Sequence, residues 1–246
     1  MKLPEHLDSA RRQVVLFDLD GTLRHNRPDA NNTLFDCAVS LGAHDSLDNR
    51  RSASRWAHYY WAHSPELHED IQRFPDLDQD FWENYTVRKL QAFACSAEQA
   101  RELAPDVRQH MAENYLPEDH IPPDVPGLLE NLQSAGYTLG LITNRSKPVD
   151  EYLIEIGLDM YFSLTLAAGE IDKWKPAPDI FQFALKHLGA DPHDALYIGD
   201  NYYADVIGAR EAGLHPVLYD PQSIFPEPDC TVIQRLSDLP EIVLQA

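Results

Sequence analysis

The residues with the clearest chemical potential are two aspartates that stand one residue apart near the start of the chain. Asp18 and Asp20 follow residues 14–17, a run of four apolar side chains, and precede Gly21 and Thr22. A short, continuous apolar run predicts a strand that is buried on both faces of a parallel sheet. Ligands of such sheets bind beyond the carboxyl ends of the strands, where both carboxylates would lie. Two like charges so close together need compensation, either from a divalent metal or from a proton on one carboxyl.

A turn is the structural alternative for the same residues. Aspartate followed by glycine is typical of turns, and this explains Asp20 and Gly21. It gives no reason for Asp18 or for Thr22. The functional interpretation of the pair therefore explains more of the stretch.

Polar residues also follow two later strands of the predicted sheet. Thr143 and Asn144 offer a hydroxyl and backbone N–H groups, which suit phosphate oxygens near a helix N-terminus. Both residue types also cap helices, so capping alone explains them equally well. Asp200 would lie beside Asp18 if their strands are neighbours. Asp205 falls in the first turn of a predicted helix, where the helix dipole alone favours a carboxylate.

A lysine in a proline-rich turn is the candidate cation of the site. Lys175 precedes Pro176 within residues 173–178, which read Lys-Trp-Lys-Pro-Ala-Pro. A surface lysine that aids solubility is the common case for such a position. A cluster of carboxylates at one edge of a sheet requires a nearby positive charge, however, and this favours Lys175 for that role.

The second half of the chain alternates between helix and strand patterns. We predict helices at residues 128–135, 148–156, 179–188 and 204–212, strands at residues 138–142, 161–167, 195–198 and 216–219, and a short strand and helix within residues 231–244. This alternation predicts an α/β fold with a doubly wound, mostly parallel sheet. The strand before Asp18 must join that sheet. The region between this strand and the alternating second half of the chain is therefore an insertion.

The inserted region has a different pattern. Residues 25–120 carry apolar and aromatic side chains at helical spacing, which predicts several helices packed through their aromatic residues. Ser96 with Gln99 matches a capping box, whereas Pro65, Pro75 and Pro105 are expected to interrupt or kink the helices. The predicted domains are a core of residues 1–24 and 121–246 and a helical cap of residues 25–120. Residues 1–12 are expected to be a polar lead-in.

Composition disfavours several classes of partner. A formal net charge of −20 disfavours binding to nucleic acid and to anionic membranes, and it means that an anionic substrate needs a local cation. Cys37, Cys95 and Cys230 show no C-x-x-C spacing, which indicates reduced thiols in a cytoplasmic protein. The sequence shows no charged-then-apolar leader and no apolar run of the roughly 18 residues that a membrane helix needs. We therefore expect a soluble protein with no nucleic-acid or membrane partner.

Four motifs of this sequence together resemble those of the haloacid dehalogenase-like hydrolases. They are residues 18–22 (Asp-Leu-Asp-Gly-Thr), residues 143–144 (Thr-Asn), residues 175–176 (Lys-Pro), and residues 199–205, which begin with Gly-Asp and end in Asp205. Their order and approximate spacing are similar to those of the phosphatase branch with a helical cap after the first motif, which includes the phosphoglycolate and acylneuraminate phosphatases. The resemblance implies a Rossmann-like core with an inserted all-helical cap, and a Mg²⁺-dependent phosphatase that acts on a small-molecule phosphate monoester.

The resemblance also implies roles for the acidic residues. Asp18 corresponds to the family's nucleophile, which attacks phosphorus and forms an aspartyl-phosphate, and Asp20 to its general acid and base. Mg²⁺ would be held by the Asp18 side chain, the backbone carbonyl of Asp20 and the Asp200 carboxylate.

The same resemblance assigns the remaining motif residues. Thr143 and Asn144 would bind phosphoryl oxygens. Lys175 would neutralise charge on Asp18 and on the transferring group, and Asp205 would support either the metal site or Lys175.

Two residues bear on the choice among the family's activities. The true dehalogenases lack the second carboxylate, which corresponds to Asp20, because a halide leaving group needs no proton. Arg24 begins the insert and, with His25 and Arg27, could meet a second anionic group of the substrate. A solvated linker explains these three residues as well.

A sugar phosphomutase with the same motifs and a binding protein that has lost catalysis are the alternative functions.

Overall fold

The computed structural model describes residues 14–243, which divide into two compact units. One unit is Asn26–His120, and the other contains the residues before and after it. The boundary therefore falls after His25, one residue later than the sequence pattern suggests. The predicted lead-in of residues 1–12 lies outside the described residues.

The insert is helical, and strands alternate with helices after it. In chain order the elements are β1 (Val14–Phe17), β2 (His25–Arg27), α1 (Ala30–Ser40), α2 (Leu47–Trp61), α3 (Pro65–Arg73), α4 (Gln79–Ala92), α5 (Ala97–Asn114), β3 (Glu118–His120), α6 (Val125–Ser134), β4 (Thr138–Thr143), α7 (Asp150–Glu155), β5 (Leu164–Ala167), α8 (Ala168–Ile171), α9 (Pro178–Leu188), β6 (Ala195–Gly199), α10 (Ile207–Glu211), β7 (His215–Tyr219), β8 (Thr231–Ile233) and α11 (Leu239–Val243). A π-helical turn, Tyr202–Val206, precedes α10.

Six strands form one parallel sheet in the order β5-β4-β1-β6-β7-β8. Phe17 of β1 lies opposite Leu141 of β4 on one side and Ile198 of β6 on the other. The chain runs from β1 outward through β4 and β5 and then returns to β6, so the strand order reverses beside β1. The carboxyl edge at such a reversal is where α/β sheets bind ligands. The short strands β2 and β3 pair separately at the two ends of the insert.

Helices cover both faces of the six-stranded sheet, which confirms the doubly wound α/β fold that the sequence predicts. Val15 and Phe17 of β1 join one apolar cluster, and Val14 and Leu16 join the other. The first cluster includes residues of α6, α7 and α11, and the second includes residues of α8, α9 and α10. All of β1 is inaccessible to solvent, as expected for a central parallel strand.

The helical unit packs around two apolar clusters of its own. One joins α1, α4 and α5, and its Phe35 and Phe93 rings stack with their centroids 4.9 Å apart. The other is aromatic, with ring centroids separated by 5.0 Å between Trp56 and Tyr60 and by 5.2 Å between Tyr60 and Tyr85. The aromatic residues of the insert therefore hold its helices together, as their spacing predicts.

The prolines of the helical unit have three different effects. Pro65 occupies the start of α3, where its missing N–H is not needed. Pro75 comes after the end of α3. Pro105 lies inside α5, which continues to Asn114, so the helix is not interrupted there. The alternative, a kink at Pro105, stays a prediction. Buried side chains along one face of α5 hold the helix in the core of this unit and offset the lost hydrogen bond.

Two helix starts differ in detail from the sequence prediction. Ser96 caps α5 by accepting the Gln99 backbone N–H at 3.1 Å. The Gln99 side chain donates to the Gly42 carbonyl, whereas a capping box would have it accept the Ser96 backbone N–H. The helix predicted at residues 204–212 begins instead with the π-helical turn. Asn201 caps this turn by accepting the backbone N–H of Tyr203 at 3.0 Å.

Two further findings concern membrane-spanning helices and the cysteines. Within residues 14–243, no helix combines the length and the apolar character that a membrane span requires. Cys37, Cys95 and Cys230 are unpaired. The cytoplasmic location inferred from the cysteine pattern stays a prediction.

A buried carboxylate provides a test of how the helical unit is stabilised. Asp70 is 2% exposed, and it accepts hydrogen bonds from the Tyr60 hydroxyl and from Arg88 Nη2, each at 3.0 Å. Burial and the Asp70 carboxylate raise the pKa of Tyr60, so its hydroxyl remains a donor. We expect Asp70→Ala to lower the free energy of unfolding by about 2 kcal/mol, because two polar groups lose their partner.

Urea unfolding measured by tryptophan fluorescence detects this change, because three of the four tryptophans (Trp56, Trp61 and Trp82) lie in the helical unit. The matched control is Asp76→Ala, which removes an exposed carboxylate. It should change the free energy of unfolding by less than about 0.5 kcal/mol. Equal destabilisation by both substitutions would contradict the role given to Asp70.

Candidate active site

The carboxyl ends of three strands place distant segments at one edge of the sheet. Asp18 directly follows β1, Thr143 is the last residue of β4, and Asp200 directly follows β6. The Asp18 backbone N–H donates to the Ile198 carbonyl at 2.8 Å, which extends the β1–β6 pairing to the aspartate itself. The buried Thr22 hydroxyl lies 3.4 Å from Asp18 Oδ2. Parallel pairing therefore fixes the position of Asp18 between the two neighbouring strand ends.

Lys175 lies at the centre of this edge and is only 2% exposed. Its ammonium donates to Asp18 Oδ1 at 2.6 Å and to Asp205 Oδ1 at 2.7 Å. It also donates to the Tyr197 hydroxyl at 2.9 Å and lies 3.3 Å from the Ile142 carbonyl oxygen. Because an ammonium has three N–H donors, two carboxylates and one hydroxyl are enough to satisfy it.

Charge pairing keeps this buried lysine protonated. Burial works against the ammonium, but the Asp18 and Asp205 carboxylates outweigh it and raise the pKa of Lys175 well above its ordinary value. Burial also raises the pKa of Tyr197 well above its ordinary value, so its hydroxyl stays neutral and donates to the Ile142 carbonyl at 3.1 Å. Lys175 is therefore a fixed positive charge in contact with Asp18.

Asn144 holds the backbone of Lys175. Its side-chain Nδ2 donates to the Lys175 carbonyl at 2.9 Å, and its Oδ1 accepts the Lys175 backbone N–H at 2.8 Å. Both ends of the amide are used in this pair of hydrogen bonds. The side chain of Asn144 is thus a positioning group for Lys175. The phosphate contact expected for Asn144 stays a prediction.

Asp205 is the second carboxylate that positions Lys175. Its Oδ1 accepts from the lysine, and its Oδ2 accepts the Asn201 backbone N–H at 2.9 Å. The π-helical turn supports this geometry through a hydrogen bond of 2.7 Å from the Asp205 backbone N–H to the Asn201 carbonyl. Of the two roles expected for Asp205, contact with Lys175 is the one seen directly.

Asp20 has a separate set of basic partners. Arg145 donates to its two oxygens through Nε and Nη2, both at 2.7 Å, and Arg24 Nη1 donates to Oδ1 at 3.2 Å. The Asp20 side chain is 37% exposed, whereas that of Asp18 is 7% exposed. The two aspartates therefore have different environments, one buried on an ammonium and the other partly exposed on guanidinium groups. Such a difference suits two distinct acid–base roles.

Three carboxylates cluster beyond the strand ends. One oxygen each from Asp18, Asp200 and Asp205 lies within 4.8 Å of the others. Burial raises the pKa of Asp18 to about 7, although Lys175 opposes this, and burial together with Asp18 raises the pKa of Asp200 well above its usual range. The cluster thus brings three carboxylates close to one ammonium, that of Lys175. The donor set and its charge therefore fit a divalent cation that prefers oxygen ligands, such as Mg²⁺.

Two glycines give these carboxylates room. A Cβ atom on Gly21 would lie 2.2 Å from Asp200 Oδ2, and one on Gly199 would lie 2.3 Å from Asp205 Oδ2. Gly21 also has a φ of +93°, which residues with a side chain rarely adopt. The glycine after Asp20 is therefore required both by the turn and by the approach of Asp200.

The sequence does not single out two residues of this site, Arg145 and Tyr197. Arg145 follows the Thr-Asn motif in a loop, and no periodic spacing marks it. Tyr197 lies inside the apolar strand β6, where a tyrosine normally indicates core packing. The available signal was the charge of Asp20, which needs a cation of its own once Lys175 is paired with Asp18.

Known proteins are similar to this chain in sequence and in fold. Residues 13–213 match the model of the haloacid dehalogenase-like hydrolase family. The phosphoserine phosphatase of Thermus thermophilus is 30% identical in a match that covers 94% of this chain and 98% of that protein. The ribulose-1,5-bisphosphate 5-phosphatase of Halopiger xanaduensis is 30% identical in a match that covers 85% of this chain and 84% of that protein. The crystal structure of a 2-haloacid dehalogenase from Pseudomonas syringae is 26% identical, has a TM-score of 0.55, and matches over 95% of this chain and 99% of that one.

Gly21→Ala tests the proposed cation site. Its Cβ would overlap Asp200 Oδ2, so we expect the carboxylate to move and Mg²⁺ affinity to fall by about tenfold or more. The measurement is the rise in melting temperature with Mg²⁺ concentration, which reports binding to the folded state.

Gly136→Ala is the matched control, because Gly136 has a φ of +95° but its Cβ would meet no atom within 4 Å. This variant should lose stability while its Mg²⁺ affinity stays that of the wild type. If both variants bind Mg²⁺ equally, Gly21 is not needed to make room for Asp200.

Proposed function

The chain belongs to the haloacid dehalogenase-like hydrolase family, and we propose that it is a Mg²⁺-dependent phosphatase that hydrolyses a small-molecule phosphate monoester through an aspartyl-phosphate on Asp18. The main support is the pair of carboxylates with different partners, Asp18 on Lys175 and Asp20 on Arg145. The two phosphatase relatives support the same reaction class.

Asp18 is the nucleophile in the first step. Its carboxylate oxygen bonds to phosphorus while the bond from phosphorus to the alcohol oxygen breaks, and Asp20 gives a proton to the departing oxygen. Lys175, 2.6 Å from Asp18 Oδ1, reduces the repulsion between the carboxylate and the phosphate dianion. The products of this step are the free alcohol and Asp18 carrying the phosphoryl group.

Asp20 acts in the reverse sense in the second step. It takes a proton from a water molecule while the water oxygen bonds to phosphorus and the bond between Asp18 and phosphorus breaks. Inorganic phosphate leaves, and both aspartates return to their starting states.

A divalent cation fits the acidic cluster, and we assign its ligands to the Asp18 and Asp200 carboxylates and the Asp20 backbone carbonyl. When bound, Mg²⁺ would offset the negative charges of the nucleophile and of the phosphoryl oxygens. Asp205 has hydrogen-bond donors on both oxygens and is assigned to Lys175 instead.

The remaining candidate residues take supporting roles. Thr143, buried at the end of β4, is proposed to donate its hydroxyl to a phosphoryl oxygen. Asn144 is proposed to contribute its backbone N–H while its side chain holds Lys175. Arg24 contacts Asp20 and is proposed to reach an anionic group of the substrate. The helical unit is proposed to be the family's cap domain.

Asp20 favours a phosphatase over a dehalogenase. A halide leaves without a proton, whereas an alkoxide needs a general acid. The similarity to a dehalogenase structure supports a shared fold. The reaction is therefore inferred from the residues of the site and not from that similarity. The net charge of −20 favours a small soluble ester over nucleic acid or an anionic membrane as partner.

Turnover of p-nitrophenyl phosphate, with and without Mg²⁺, tests the proposed function. We expect inorganic phosphate to be released with Mg²⁺ and the rate to fall to background when the metal is chelated. Return of the phosphoryl group to a second hydroxyl of a sugar phosphate would indicate a phosphomutase. Failure to hydrolyse any member of a panel of metabolite esters would refute the phosphatase assignment.

Substitution of the two aspartates should separate the two steps. Asp18→Asn removes the nucleophile, and Asp20→Asn removes the acid–base group, so we expect each to lower turnover by about a thousandfold. Because nitrophenolate leaves without protonation, Asp20→Asn should still be phosphorylated once and then stall. Mass spectrometry of the protein should show an added phosphoryl group in Asp20→Asn and none in Asp18→Asn.

The control for these variants is Glu155→Gln, which removes an exposed carboxylate of the same unit and should leave turnover unchanged. Near-normal turnover in either aspartate variant, or a phosphorylated Asp18→Asn protein, would exclude the assigned roles.

A further inference from the structure

We propose that Arg145 exchanges Asp20 for a carboxylate on the alcohol part of the substrate, so that the preferred substrates are phosphate monoesters with a carboxylate near the ester. This inference rests on the proposed phosphatase function and narrows its substrate class. Arg145 is a specificity-determining residue in this account, and its contact with Asp20 is the resting arrangement of the site.

The resting contact occupies the whole Asp20 carboxylate. Arg145 donates to both oxygens at 2.7 Å, and Arg24 adds a third donor to Oδ1. Oδ1 accepts from two guanidinium groups and Oδ2 from one, so giving a proton from either oxygen to a leaving alcohol competes with a cationic N–H donor. The reaction requires that step, so Arg145 must release at least one oxygen of Asp20 before the ester bond breaks.

Arg145 keeps a second support when it leaves Asp20. Its guanidinium carbon lies 4.2 Å from the centroid of the Tyr152 ring, which stabilises the cation independently of the carboxylate. The Arg145 side chain is 28% exposed, so a soluble ligand can reach it. A net charge of −20 disfavours anions in general, and a free guanidinium at this position would counteract that field locally.

The place of Arg145 indicates which part of the substrate it meets. The phosphoryl group approaches Asp18, where Lys175 is the positive charge, whereas Arg145 lies on Asp20, which faces the leaving oxygen in the proposed reaction. The ligand of Arg145 is therefore a group on the alcohol. The guanidinium already binds a carboxylate through two parallel hydrogen bonds, and a second carboxylate would fit the same fork.

Matched substrate pairs test this inference. Phosphoglycolate is compared with ethyl phosphate, in which a methyl group replaces the carboxylate, and O-phosphoserine is compared with O-phosphoethanolamine, which lacks it. For the wild-type protein we expect kcat/KM to be about tenfold or more higher for the carboxylate member of at least one pair.

Arg145→Gln should reduce that ratio to near one, chiefly through KM of the carboxylate substrate, and Arg145→Lys should restore part of it because the charge returns without the fork. Lys147→Gln is the control, since it removes an exposed cation two residues away and should keep the wild-type ratio. Melting temperatures of all three variants show whether each is folded.

Each outcome decides the question. The inference is wrong if wild-type protein hydrolyses p-nitrophenyl phosphate but prefers neither carboxylate substrate. It is also wrong if Arg145→Gln lowers kcat/KM equally for both substrates of a pair, because Arg145 then only holds Asp20. If Lys147→Gln changes the ratio as much as Arg145→Gln, the effect is general electrostatics and the inference is again wrong. Absence of all hydrolysis would instead refute the phosphatase function.

Discussion

A buried ammonium between two carboxylates is the interaction on which the candidate active site depends. Lys175 is almost inaccessible to solvent, and its contacts with Asp18 and Asp205 satisfy a charge that would otherwise be very unfavourable there. The Asn144 amide fixes the lysine backbone, and the Tyr197 hydroxyl receives the third N–H. Removing one partner of such a cluster leaves an uncompensated buried charge, so these groups depend on one another.

The charges of the site fall into two groups that the fold keeps apart. Around Lys175 the carboxylates outnumber the cations, which favours a bound divalent ion, and burial raises the pKa of Asp18 to about 7. Around Asp20 the guanidinium groups of Arg145 and Arg24 provide the positive charge. The motif of residues 18–22 thus supplies two carboxylates in different environments. Asp18 follows a buried strand and pairs with an ammonium, whereas Asp20 lies in the turn beyond it and pairs with guanidinium groups.

Much of the fold follows from local sequence pattern. Residues 14–17 predict a central strand because every side chain is apolar, and the later alternation of helix and strand predicts the doubly wound sheet that the structure confirms. Pro105 is the clearest exception. Local chemistry predicts an interruption there, but burial of one face of α5 keeps the helix continuous. The π-helical turn at Tyr202–Val206 is also invisible in the sequence, because it depends on Asn201 and on the contact of Asp205 with Lys175.

The site was predictable where residue type and strand position coincide. Asp18 and Asp200 carry charges directly after strands, and Lys175 is marked by its proline-rich turn. The structure brings Asp18 and Lys175 into contact across 157 residues of chain. Arg145 and Tyr197 were not predictable in this way, because a loop arginine and a strand tyrosine are common in any protein. Their roles depend on partners that only the folded chain supplies, 125 residues away for Arg145 and 22 for Tyr197.

The pairing of β2 with β3 has a consequence for how this protein could change. The chain enters the helical insert through one short strand and leaves it through the neighbouring strand, so the insert is a single excursion from an otherwise complete sheet. The length and sequence of the insert can therefore change without altering the register in which β1 pairs with β4 and β6. A different excursion could be grafted between the same two strands, and new ligand preferences could evolve while the reaction chemistry was inherited intact.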